Sequence, residues 1–246
     1  MNGKLIDTPE QPSGLRKGLR PDELKTTIKR FCIVVIFSIG FAYIESAVVV
    51  YLRTIFHPEG FAFPFSDIPI RHHWRILLTE IGREVATLVL ILTGAWLFGK
   101  NRHQRVAYFA TIFAVWDTFY YIWLKILSSC LKPIPDWPMS IMDWDILFLL
   151  PTTWAGPLLA PVLISLTLLL FAAIILYKDS YGKTLNVNRW DWLGFILAGL
   201  VVVVSFYTAG LHITKPDYKD HFYWSLFALG NISAIAIFLK CLLKSK

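Results

Sequence analysis

Glu45, Glu80, Glu84 and Asp117 lie inside apolar runs long enough to cross a bilayer. A charged side chain at membrane depth costs at least ~2.5–3.5 kcal/mol on insertion scales. Each acid therefore needs a partner, a bound cation or a proton. Arg83 is the deep cation within the same stretches. Glu80, Arg83, Glu84 and Thr87 are spaced three and four apart and share one helical face. Asp117, Tyr120, Tyr121 and Leu124 form a second stripe, and Ser205, Thr208 and His212 a third. Glu45 has Arg53 two turns along its own helix. Lipid offers such groups no partner, so the stripes are expected to face one another and enclose a polar pocket. Glu45, Glu80, Arg83, Glu84, Asp117, Tyr121 and His212 are the candidate ligand- or proton-binding residues. Like charges at short range in a dry site cannot all ionise, so at least one of the acids is expected to hold a proton or a ligand.

Other chemistries lack their residues. A carboxylate di-metal site in a bundle uses Glu-x-x-His pairs. Here Glu80-x-x-Arg83 takes that spacing, and a guanidinium does not ligate. A membrane haem needs opposed histidines, and only His212 qualifies. No Gly-x-Ser-x-Gly, His-Glu-x-x-His or phosphate-binding glycine loop is present. No catalytic or metal-ligating residue is assigned, and no cofactor is named by the sequence. The pattern suits protons or a small cationic or polar ligand. A quinone held by Tyr, His and carboxylates also fits.

Composition identifies the solvent. Of 246 residues, 56% are hydrophobic and only 17% charged, against about a quarter charged in soluble domains. Ten Trp and ten Tyr suit the lipid–water interface. The net charge of +7 is not read as a nucleic-acid footprint, because Lys and Arg flank the apolar runs and no nucleic-acid module is visible. Cys32, Cys130 and Cys241 are isolated and read as packing residues. A polar segment too long for a signal peptide precedes the first run, which is expected to stay uncleaved.

Six runs predict an all-α, polytopic membrane protein, a six-helix transmembrane bundle over 31–246 preceded by a basic cytoplasmic lead-in over 1–30. The spans are roughly 31–56, 76–98, 106–128, 146–177, 190–211 and 222–243. The basic segments are the N-terminal tail, the connector Lys100 to Arg105, the connector holding Lys178, Lys183 and Arg189, and the C-terminal tail. With six spans they share one side, so both termini are expected in the cytoplasm. At ~1.5 Å per residue, all four acids then fall between the midplane and the outer face.

Three local expectations follow. The overlong fourth run carries Pro151, Pro157 and Pro161 with Gly156, and predicts a helix kinked or partly unwound near its start. Asp143 and Asp145 flank Trp144 at its outer mouth, where an interfacial or N-cap role explains them, and together with the irregular stretch Leu150 to Pro157 they suggest a wall of the pocket. Phe61, Phe63 and Phe65, set among prolines, suggest a first outer loop lying on the membrane surface, while Arg53 and Lys125 are expected to snorkel outward.

Four strings resemble a group of uncharacterised bacterial multi-span membrane proteins: Glu45-Ser46-Ala47 with Tyr51-Leu52-Arg53; Glu80-Ile81-Gly82-Arg83-Glu84-Val85-Ala86-Thr87; Trp116-Asp117 with Tyr120-Tyr121; and Trp144-Asp145-Ile146-Leu147-Phe148-Leu149-Leu150-Pro151. The resemblance implies an integral protein of the bacterial cytoplasmic membrane and carries no mechanism. The function expected is binding or translocation of protons or a small cationic or polar ligand in the outer half of the bilayer. The alternatives are a non-catalytic subunit of a larger respiratory or photosynthetic complex, and an intramembrane enzyme using a carboxylate or a metal. The expected partners are the lipid bilayer and other membrane subunits, with no nucleic acid.

Overall fold

A computed structural model describes residues 21–58, 60–61, 63–65, 72–130, 140–148 and 153–245. Six long helices dominate: α1 (Pro21–Phe56), α2 (Trp74–Phe98), α3 (Arg102–Cys130), α4 (Leu159–Ser180), α5 (Arg189–Gly210) and α6 (Trp224–Lys244). Between α3 and α4 stand two short strands, β1 (Trp144–Phe148) and β2 (Trp154–Pro157), and a 3₁₀ turn spans Tyr218–His221. Four helices are long and apolar enough to cross a membrane: α1, α4, α5 and α6. Their lipid-type faces are turned outward, as with Ile36 and Ile44 on α1 and Leu166 and Leu170 on α4.

The local sequence explains the helix limits. Proline has no N–H to lose in a first turn, and Pro21 opens α1. At 36 residues α1 is about 54 Å long, well beyond a bilayer core of about 30 Å, and residues 21–30 of the expected lead-in belong to the same helix as the first apolar run. Asn188 and Asp191 form a reciprocal capping box at the start of α5. Gly99 ends α2, and a Cβ there would collide with the backbone of Arg105 as α3 begins.

α3 is the hub, packed against α1, α2 and α4. α5 and α6 form a second unit, brought close by Gly230, where a Cβ would press on the Ala198 carbonyl. The two units meet through α4 against α6, where Phe171 and Phe238 stack at 3.9 Å, and through β2 against α5.

The fourth span takes a different form from the sequence expectation. Residues 144–148 and 154–157 are an antiparallel strand pair, with Asp145 opposite Gly156 and Ile146 opposite Ala155, and the helix starts only at Leu159. Pro161 falls in the first turn of α4, where it costs no hydrogen bond, and Pro157 ends β2. The prolines therefore position the beginning of the helix; Pro151 lies outside the described residues. Non-helical backbone at membrane depth needs protein around it. Here Ala155 and Gly156 are buried, and Gly156 lies against Phe206 and Phe222.

The first connector also differs. Phe61 and Phe65 are buried in the protein, packed with Val50, Leu124, Ala155 and Ile213, and the Phe65 N–H donates to the Ile213 carbonyl at 3.0 Å. The loop turns inward because its aromatic rings find Trp144 and Tyr218, themselves in edge contact, beside them.

Candidate functional site

α1, α2, α3 and β1 converge on a cavity of about 140 Å³ at the end of the bundle nearest the α1–α2 connector. Helical spacing delivers the side chains to it. Glu45, Val49, Leu52, Arg53 and Phe56 recur on one face of α1; Glu80, Arg83 and Glu84 on one face of α2; Trp116, Asp117, Tyr120 and Tyr121 on α3. β1 adds Asp145, and His57 and Phe61 border the space from the connector.

Arg83 is the bridge on the α2 side. Its Nε donates to Glu80 Oε2 at 2.7 Å and its Nη1 is paired with Glu45 Oε1. The second Glu45 oxygen accepts from Thr87 Oγ1 at 3.2 Å. One guanidinium thus ties α1 to α2 and holds two acids. Glu84 is buried on the same wall.

The opposite wall holds a second ion pair. Arg53 is paired with Asp145, whose side chain is fully buried and also accepts from the Ile146 N–H at 2.8 Å. The Arg53 guanidinium lies 3.9 Å from the centre of the Phe61 ring, a cation–π contact that covers its other side. Arg53 is therefore 4% exposed and does not snorkel. The expectation for it failed because it considered only the helix and the lipid. The matching carboxylate comes from a strand 92 residues away. Asp145 is likewise a buried ion-pair partner inside β1, and neither an interfacial residue nor a cap. His57 sits against Phe61 and Phe65, and burial together with the neighbouring Arg53 charge holds its imidazole below the usual histidine range.

Asp117 stands apart from both pairs. It is 8% exposed, lines the cavity, and among the described residues its hydrogen-bond partner is the Ser165 hydroxyl of α4, which donates to Oδ2 at 2.8 Å. Among the described residues no basic group pairs with it. Trp116 beside it carries a buried indole N–H without an acceptor among the described residues. Tyr120 and Tyr121 meet edge to face and complete this wall. The backbone behind it is held by Ser46, whose hydroxyl bridges the Ala42 and Tyr120 carbonyls at 2.9 Å each.

The structure thus brings together six of the seven candidate residues: Glu45, Glu80, Arg83, Glu84, Asp117 and Tyr121. His212 is elsewhere. Its ring stacks on His221 at 3.6 Å, and its Nδ1 meets the Thr208 carbonyl at 2.9 Å. His221 in turn bonds Asp217, which holds that exposed carboxyl below its usual range. The third stripe does not reach the cavity because α5 packs against α6 and β2, while the cavity is lined from α1, α2, α3 and β1; Thr208 returns its hydroxyl to the carbonyls of Val204 and Ser205. Sequence reasoning put Arg53 on the Glu45 stripe and read the Asp145 segment as a pocket wall, but it did not pair the two and did not place His57 in the site. The position of Arg53 eight residues after Glu45, on the same helical face, was the signal available for one of them.

Among the described residues, no group of three or more His, Cys, Asp and Glu side chains is arranged to hold a metal ion. Arg83 and Arg53 occupy the places beside the acids that a cation would take. The arrangement can hold a proton on Asp117, accept hydrogen bonds from a small polar molecule, or exchange one guanidinium contact for a ligand. Compared with protein-family models, with curated proteins and with solved structures, the chain matches none, and its function has to be read from this geometry.

Proposed function

We propose that the chain is an integral protein of a bacterial cytoplasmic membrane whose outer-half chamber binds or relays protons or a small cationic or polar ligand. α2 and α3 join the four apolar helices as spans, giving six, with both termini cytoplasmic by the positive-inside rule. The outward faces of α2 support this: Leu78, Val85, Leu88, Val89 and Leu92 are all exposed, while Glu80, Glu84 and Thr87 are turned inward.

One observation carries the reading. Five carboxylates and two guanidiniums line one cavity, and among the described residues Asp117 is bonded to a hydroxyl and to no basic group. A fully paired scaffold would leave no acid in that state. Asp117 is the binding group, by taking a proton or by meeting a cation. Arg83, fixed between Glu45 and Glu80, sets the charge balance around it, and Glu84 is the next acid along the wall.

The test uses the purified protein in lipid nanodiscs. Infrared difference spectra recorded across a pH series, with and without small organic cations, report the protonated carboxyl groups. A titrating carboxyl signal that Asp117→Asn removes, with the fold retained, supports the proposal. Spectra identical in wild type and Asp117→Asn at every pH and with every cation would overturn it. Loss of co-purifying subunits in Glu84→Gln, with unchanged spectra, would favour the membrane-subunit reading.

A further inference from the structure

A second, larger cleft lies on the other side of α3. Its volume is about 620 Å³, and α3, α4, α5 and α6 supply its walls, with Leu185, Asn186 and Val187 of the α4–α5 connector at one end. It exists because the α5–α6 unit touches the rest through β2 and the Phe171–Phe238 stack, which leaves the helices apart beside them. Its lining is apolar over most of its length. Polar groups occur at two levels. Arg102, His103, Asn186 and Trp192 gather at the connector end, and Asn231 lies partway along α6.

The charge is one-sided. Arg102 is exposed at the mouth and forms no ion pair among the described residues. The nearby acid Asp179 is already taken by Asn101 and Gln104, at 2.8 and 2.7 Å. The His103 imidazole is fixed at 3.2 Å from the Leu185 carbonyl. An apolar slot with an unpaired guanidinium at the end flanked by the basic connectors matches an amphiphile with an anionic head.

We propose that this cleft is a binding site for one anionic phospholipid, with an acyl chain between α3–α4 and α5–α6 and the phosphate on Arg102. The site is separate from the carboxylate chamber and does not depend on what that chamber binds.

Gly199 supplies a decisive variant. It lines the cleft, and a Cβ built on it meets nothing within 4 Å. Gly199→Leu therefore fills the slot without backbone collision, and leucine is the better helix former. The protein is purified from native membrane in mild detergent, and bound lipid is measured by native mass spectrometry. It is then stripped and titrated with phosphatidylglycerol or phosphatidylcholine, with thermal unfolding as the readout. Wild type is expected to retain one phosphatidylglycerol-type lipid and to be stabilised by phosphatidylglycerol over phosphatidylcholine. Arg102→Ala should weaken the anionic lipid about fivefold, the worth of one surface guanidinium. Lys100→Ala, outside the cleft lining, should not. Gly199→Leu should lose the retained lipid while unfolding at the wild-type temperature or above. Equal stabilisation by both lipids, retention of the lipid in Gly199→Leu, or a retained neutral quinone in place of a phospholipid would overturn the proposal.

Discussion

Replacing Arg83 by Gln removes the one cation that touches both Glu45 and Glu80. Both acids are under a tenth exposed, so water does not take over the guanidinium's role. Breaking a buried ion pair from one side costs about 3–5 kcal/mol, because the remaining charge is left unpaired. Thr87 continues to hold Glu45 Oε2, and Arg83 itself is 22% exposed in its side chain, which places the expected loss at the lower end, about 3 kcal/mol. For a chain of this size that is a fall in unfolding temperature of about 6–12 °C. The informative comparison is the double variant Glu45→Gln/Arg83→Gln. It removes the charge stranded on Glu45, with Glu80 left as in the single variant, and leaves an amide able to hydrogen-bond to Thr87. It should recover about half of the loss, since deleting both members of a buried pair is far less costly than deleting one. Thermal unfolding of wild type, both single variants and the double variant in one detergent measures the cycle. If the double variant is as unstable as the sum of the singles, Arg83 and Glu45 are not coupled, and the α1–α2 bridge described above is wrong.

Three further outcomes are expected. His57 is held below its usual protonation range by burial and by Arg53, so the unfolded loop binds a proton more readily than the folded one. Its contribution to stability is therefore complete above the ordinary histidine value of 6.5 and is lost as pH falls below it. The hydrogen-exchange protection of the 57–65 connector, corrected for the pH dependence of the intrinsic amide rate, should fall on acidification in wild type and stay flat in His57→Gln. Gly210→Ala should destabilise the protein by about 1–3 kcal/mol, because the new methyl would overlap the Thr153 carbonyl where the hairpin meets α5. Gly40→Ala and Gly82→Ala, whose added methyls meet open space, should unfold at or above the wild-type temperature in the same assay. Ser165→Ala should leave Asp117 without its hydroxyl partner and alter the infrared carboxyl signal assigned to it, while Thr167→Ala, which loses only a bond to the Leu163 carbonyl within α4, should not.

The chamber was legible in sequence for a specific reason. An acid in an apolar helix has few places to go, and three- and four-residue spacing fixes which other groups share its face. Glu80, Arg83, Glu84 and Thr87 could be joined on one stripe before any tertiary contact was known, and so could Asp117 with Tyr120 and Tyr121. The strands were not legible. The run Ile146–Leu150 is apolar without alternation, and such a run reads as helix or strand alike. What selects the strand is the neighbour: β2 is packed on α5, with Gly156 and Gly210 both letting backbone come close. His212 failed for the opposite reason. Its stripe was drawn correctly, but spacing along one helix does not say which helix it will face, and α5 packs on α6 and β2, while Thr208 satisfies its hydroxyl on its own preceding turn.

That contrast separates the groups that only hold the fold from those that remain available. Ser38, Thr54 and Thr111 all return their hydroxyls to the carbonyl four residues back. Arg53 and Asp145 neutralise each other and tie the hairpin to α1, which makes them a fastener at the chamber's edge. Arg83 does the same between α1 and α2. With those subtracted, Asp117 is a carboxyl that meets no basic group among the described residues, held by one hydroxyl and lining the cavity. The two charge clusters make that state sustainable: they fix two helices and a strand around a small void, with α3 packed behind, so the wall does not collapse onto the acid. A chamber built this way can gain or lose one proton, or admit one small cation, without any of its helices changing partners.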